Sequence, residues 1–171
     1  MKEQISRAVA APLHSFALPR YHEIPDVGLY LEQVTGYISG LIAPLQSVCI
    51  TSSMVSNYVK KHLLSNPVKK RYSRDQIVAL ICIAITKTVL SLEDIQVLLE
   101  VQRRLGDNQT VYDLFCTELE AVLAEVFGFG PAPAPLAAEA PAEQMLIRKT
   151  AVAVAHKLYL DSYLRALELE H

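Results

Sequence analysis

From Gln33 to Arg74 the chain contains neither aspartate nor glutamate, a gap of forty-two residues in a protein of 171 whose formal net charge is −2. The basic residues of that stretch, Lys60, Lys61, Lys69, Lys70, Arg71 and Arg74, all fall in its last fifteen positions. A local surplus of cations attracts polyanions whatever the net charge of the whole molecule, so the asymmetry points to a phosphate backbone as partner. Long apolar runs are also missing. The longest, Ile77 to Ile85, is nine residues, far short of the roughly twenty that a membrane-crossing helix needs. Cysteine is scarce: Cys49, Cys82 and Cys116 lie more than thirty residues apart with no C-x-x-C spacing. An odd, dispersed set is no disulfide framework, and buried free thiols are the expectation. No secretory h-region follows Lys2 and Arg7, so cytoplasmic residence is the default. Phosphate-loop, G-x-S-x-G and H-E-x-x-H motifs are absent as well. His22, His62 and His156 have no partner at metal-ligand spacing. We therefore expect no cofactor, no metal and no enzymatic role. A pocket lined by His22 or His62 and a carboxylate would revive an enzymatic reading.

About half the side chains are apolar, enough for one core with or without a smaller helical appendage. Residues 1–25, punctuated by Pro12, Pro19 and Pro25, read as an irregular arm with at most a helical turn. Asp26 can cap a helix starting at Val27, with Leu29, Val34, Ile38 and Leu41 at helical spacing until Pro44 stops it. Gly36 and Gly40 weaken that helix, and close packing on another backbone would be a reason to keep them. After a tight connection, Thr51 or Ser52 caps a second helix. Its core face is Val55, Tyr58, Val59, His62 and Leu63, and its outward face is Ser53, Ser56, Asn57, Lys60 and Lys61. Tyr58 is expected to pack inside. Ser65, Asn66 and Pro67 end the helix, and Val68 to Tyr72 reads as a short basic hairpin or wing.

Ser73 and Gln76 have capping-box spacing, which makes Ile77 to Ile85 a buried helix rather than a strand. Ser91 caps the next, carrying Leu92, Ile95, Leu98 and Leu99 to about Arg104. Residues 107–128 give a further amphipathic helix to pack on the core, 129–142 a Pro/Ala-rich linker, and 143–168 a strongly apolar helix. The last of these either packs on its own domain or pairs two copies. Residues 169–171 look like a tag remnant. The fold class is all-α, with at most a minimal β wing.

Two helices, a basic wing and a capped third helix form a winged helix-turn-helix over residues 26–106. From Thr51 to Leu99 the chain resembles the DNA-binding domain of MerR-like regulators. Arg71-Tyr72-Ser73 matches the wing end that opens the next helix, and Leu90-Ser91-Leu92-Glu93-Asp94-Ile95 matches the segment that opens the one after. With Ile24-Pro25-Asp26 and Leu29-Tyr30-Leu31-Glu32-Gln33-Val34 upstream, it is more similar still to a bacterial family of unknown function sharing that core. His62 stands where many MerR-like chains carry glycine. The resemblance implies a sequence-specific regulator of transcription that binds double-stranded DNA. Ser53, Ser56 and Asn57 would face bases, Lys60, Lys61, Lys69, Lys70 and Arg74 would meet phosphates, and Arg71 and Tyr72 would stand in the wing. It also implies a homodimer paired through the carboxy-terminal helices, responsive to a small-molecule effector of unknown identity. The other reading is a helical protein–protein interaction module that keeps the fold without DNA binding.

Overall fold

The computed structural model describes residues 2–169. Among these, seven α-helices follow one another: α1 (Lys2–Ala10), α2 (Leu31–Ile42), α3 (Ser52–Lys60), α4 (Arg74–Thr86), α5 (Leu92–Gln102), α6 (Asn108–Val126) and α7 (Ala142–Leu169). Two-residue strands β1 (Leu29–Tyr30) and β2 (Arg71–Tyr72) pair antiparallel, Leu29 opposite Tyr72 and Tyr30 opposite Arg71. The fold is all-α with a minimal β element. Of the expected tag remnant, Glu170 and His171 lie outside the described residues, and Leu169 closes α7.

At the centre is α4. Ile77, Leu80, Ile81, Ile83, Ala84 and Ile85 are buried over more than half of its circumference, and Asp75, Ala79 and Cys82 form the less covered face. Its start is fixed as the capping box requires: Gln76 N–H donates to Ser73 Oγ at 3.3 Å, and Ser73 N–H donates to Gln76 Oε1 at 2.8 Å. Long helices α6 and α7 pack on each other, and α7 also covers α1, α5 and α4. The inward stripe of α7 is Ile147, Ala151, Val154, Ala155 and Leu158. Arg148 clasps the buried Glu118 of α6 through its Nε–Nη2 edge, Nη2 donating to Oε1 at 3.0 Å and Nε to Oε2.

Three expectations are corrected near the amino terminus. First, residues 2–10 form a full helix, because Ile5, Val9 and Ala10 bury against α7 and compensate for its short length. Second, the helix expected from Val27 begins at Leu31. Gly28 takes φ +73°, a left-handed turn that sends Leu29 and Tyr30 into the β pair, and an added Cβ there would stand 3.1 Å from Arg71 Cβ. Gln33, not Asp26, serves this terminus, its Oε1 accepting from Tyr30 N–H at 2.9 Å. Third, Gly36 and Gly40 touch no neighbouring backbone: both are exposed, and a Cβ at either would meet nothing within 4 Å.

Between α1 and β1 the chain lies across α6 as a strap. Tyr21 N–H donates to Asp113 Oδ1 at 2.8 Å, Tyr112 Oη donates to the Pro19 carbonyl at 2.9 Å, and Arg20 forms a two-pronged pair with Glu120 at 2.8 and 3.0 Å. That pairing raises the pKa of the Arg20 guanidinium. The cysteines divide. Cys116 is buried and pushed up to about 12 by that burial, while Cys82 is half-buried and also raised. Cys49 is exposed, against expectation, because Val48 and Ile50 on either side of it take the inward positions.

Candidate nucleic-acid interface

Helix α3 starts where Thr51 Oγ1 accepts from Met54 N–H at 3.2 Å. Its connection to α2 runs from Ala43 to Thr51 and includes a 3-10 turn at Ala43–Leu45. That is longer than the tight three- or four-residue turn of a helix-turn-helix and corrects the expected short link. Val55 and Tyr58 are buried, Tyr58 being 2% exposed with Lys87 Nζ 5.8 Å from its ring centroid. Ser53, Ser56, Asn57, Lys60 and Lys61 are exposed. Their side chains make no hydrogen bond among the described residues.

The end of α3 is a Schellman motif. His62 N–H donates to the Val59 carbonyl at 3.0 Å and Leu63 N–H to the Tyr58 carbonyl at 2.9 Å, with His62 at φ +59°. His62 therefore occupies the left-handed position that glycine favours, and it is exposed rather than on the core face. Six residues on, Val68 and Arg71 exchange two backbone hydrogen bonds, of 3.1 and 3.0 Å, around Lys69 at φ +50° and Lys70 at φ +64°. Two central residues at positive φ mark a two-residue hairpin of the type that asparagine and glycine usually fill. Here two exposed lysines fill it.

Three expected contact residues are otherwise employed. Tyr72 is 5% exposed and is part of the core. That burial raises its pKa and removes it from the surface. Arg74 is half-buried: Nε donates to the Ile24 carbonyl at 2.9 Å, and the guanidinium stands 5.3 Å from the Tyr21 ring centroid. It fastens the strap to α4 instead of reaching outward. Arg71 remains exposed, but its guanidinium lies 4.8 Å from the Tyr30 ring centroid and donates to Tyr30 Oη at 3.1 Å. Tyr21 Oη in turn donates to Asp75 Oδ1 at 2.7 Å, and that bond and burial push the phenol up to about 12.

Behind the α3 cap lies a cavity of about 560 Å³, walled by the His62–Asn66 segment, α4, the end of α5 and the start of α6. Gln76, Gln102, Arg103 and Asn108 are among its polar walls, and of these only Gln76 drew notice in the sequence. Gln102 had a readable signal: it continues the apolar stripe of Ile95 and Leu98 as a polar residue. His62 and Asp75 both line this cavity. Asp75 Oδ1 accepts from Tyr21 Oη, and no hydrogen bond joins Asp75 to His62 among the described residues. Among the described residues no group of three His, Cys, Asp or Glu could hold a metal ion, and no helix is long and apolar enough to cross a membrane.

The model of a family described as Domain of unknown function (DUF1836) matches residues 19–115, more than half the chain. The chain belongs to that family. No curated protein and no solved structure matches it. The DUF1836 segment takes in the strap from Pro19 onward, the β pair, α3, the lysine hairpin and every residue lining the cavity, and stops inside α6. Helices α1 and α7 lie outside it.

Proposed function

We propose that this chain is a MerR-type winged helix-turn-helix regulator of transcription that binds double-stranded DNA through α3 and the lysine hairpin. One observation carries the reading: two lysines sit at the two positive-φ positions of a hairpin tip, where neither helps the fold. Unfavourable backbone placement of a charged pair is expected where a ligand rewards it. Ser53, Ser56 and Asn57 on the exposed side of α3 face base edges, and asparagine can pair with adenine through two bonds. Lys60, Lys61, Lys69 and Lys70 neutralise phosphates, and Arg71 assists from its seat on Tyr30. Tyr72 and Arg74 hold the wing and strap in place.

The test is fluorescence anisotropy on mixed genomic fragments across a salt series. Four phosphate contacts give a log–log slope of about −3.6. Salt-independent binding, or a slope unchanged when the four lysines become alanine, sinks the reading.

Pairing of two copies would suit a two-fold operator. The inward stripe of α7 is consumed within the chain, and its exposed apolar side chains, Met145 and Leu146 near its start and Leu160 and Leu164 further on, would form the contact. A protein partner in place of DNA is the second reading. It is favoured by Val27 and Val68, each 75% exposed beside Arg71. Alanine at Lys69, Lys70 and Arg71 separates the two, since DNA retention falls and partner capture survives.

A further inference from the structure

Two buried glutamines line the cavity behind the α3 cap, and they are in opposite states. Gln76, 8% exposed, is fully engaged: its Nε2 donates to Ser65 O, Ser65 Oγ and Asn66 O, and its Oε1 accepts from Ser73 N–H. Gln102, 7% exposed, makes no side-chain hydrogen bond among the described residues, yet lines the same space. Its amide atoms are not sealed from solvent, since the buried side-chain polar atoms without partners among the described residues are Ser47 Oγ and Tyr58 Oη, so Gln102 offers its hydrogen-bonding capacity to whatever enters the cavity. Beside Gln102 at the C-cap of α5, the exposed Arg103 also lines the cavity and has no carboxylate partner among the described residues. Leu63, Ala79, Cys82, Leu99 and Val111 provide apolar wall. The volume of about 560 Å³ is that of a small-molecule site.

We propose that this cavity binds a small organic acid. Arg103 takes the carboxylate, its planar fork matching two oxygens. Gln102 pairs with a polar atom of the ligand, and the apolar body lies on Ala79, Cys82 and Leu99. Asp75 also lines the cavity as a carboxylate that accepts from the Tyr21 hydroxyl, so the choice of an acid over an amine rests on Arg103, which has no carboxylate partner among the described residues. Regulation follows if the DNA-binding reading holds, on which this part rests. The ligand touches the His62–Asn66 link that joins α3 to the lysine hairpin, so it fixes one relative pose of the two DNA-contacting elements. Linkage then requires acid and DNA to change each other's affinity by the same factor.

The experiment titrates the nitrogen-15-labelled full chain with phenylacetate and cyclohexanecarboxylate, using phenylacetamide and benzylamine as uncharged and cationic controls. The acids should shift the Gln102 side-chain amide and the Ala79 and Asn108 backbone signals with a Kd of about 1 mM, as expected for ligands of this size. Arg103→Gln and Gln102→Leu should each weaken the acids about tenfold while leaving the rest of the spectrum in place. The site is overturned if neither acid moves those signals at about 10 mM, if benzylamine binds as well as phenylacetate, or if Arg103→Gln keeps full affinity. Anisotropy on DNA with and without phenylacetate reads the coupling. Acid binding by a chain that ignores DNA keeps the site and removes only the DNA reading, whereas DNA binding without acid binding removes the site alone.

Discussion

The Gln76 side-chain amide donates to both the carbonyl and the hydroxyl of Ser65, at 3.0 Å each, and so ties the first turn of α4 to the loop between α3 and the lysine hairpin. Gln76→Leu removes these bonds and the one from Ser73 N–H, at a cost of about 1–2 kcal/mol because Ser65 and Ser73 are exposed and water replaces part of what is lost. Gln76→Glu keeps the acceptor for Ser73 and loses the donor to Ser65, so it isolates the loop tie. Urea unfolding measures both. A loss below about 0.5 kcal/mol for the leucine variant, the level of an ordinary surface change, contradicts the role given to this side chain.

Replacing Lys69 by Asn and Lys70 by Gly puts the residues a positive-φ hairpin prefers at its tip. The fold should gain about 1 kcal/mol or more, since side chains with a Cβ are strained there. Binding to DNA should move the opposite way, with the salt slope falling by about 1.8 for two lost phosphate contacts. Thermal unfolding and salt-dependent anisotropy on one sample read both numbers. A variant that is more stable and binds DNA unchanged would show that the lysines have no part in it.

Gly36→Ala and Gly40→Ala place a methyl in open space on an exposed helix face. Each should stabilise the chain by about 1 kcal/mol through helix propensity and reduced unfolded-state entropy. Destabilisation of the free protein by either would mean that this face of α2 is covered.

Asp107 caps α6, its Oδ1 accepting from Thr110 N–H at 2.8 Å, and that bond lowers its pKa from the usual 3.8. A depressed carboxylate contributes stability above its unfolded pKa and loses it as pH falls through the lower, folded value. Unfolding free energy relative to Asp107→Ser should therefore be constant near neutrality and decline in acid below the usual 3.8. A difference that is flat through that acid range rules out the ionised cap.

Local signals were the legible ones. The Ser73–Gln76 box, the Ser91 cap and the apolar run of α4 were readable because each is complete within a few residues and burial reinforces it. The β pair was hidden: Leu29 and Tyr30 sit at helical spacing with Val34 and Ile38, and only the Gly28 turn and a partner forty residues later make them a strand. Helix α1 was masked by the prolines after it, although Ile5 and Val9 already stand one turn apart. On the candidate interface, the outward side of α3 followed from its periodicity. Arg74 and Tyr72 did not, because their employment depends on Ile24, Tyr21 and core packing, which charge and residue type do not report. The fully engaged Gln76 and the unpaired Gln102 look alike as letters, and only three-dimensional neighbours tell them apart.

Helix α6 is a single rod of about 28 Å. Its first turns, with Asn108, Val111 and Tyr112, form a wall of the cavity, and its later turns carry Leu119, Val122 and Leu123 into the core beyond the end of the DUF1836 match. A chain cut at Phe115 would strip that rod of half its length and leave the remaining stub with little to lean on. The same rod therefore joins the wall behind α3 to the helix that packs on its far turns, α7.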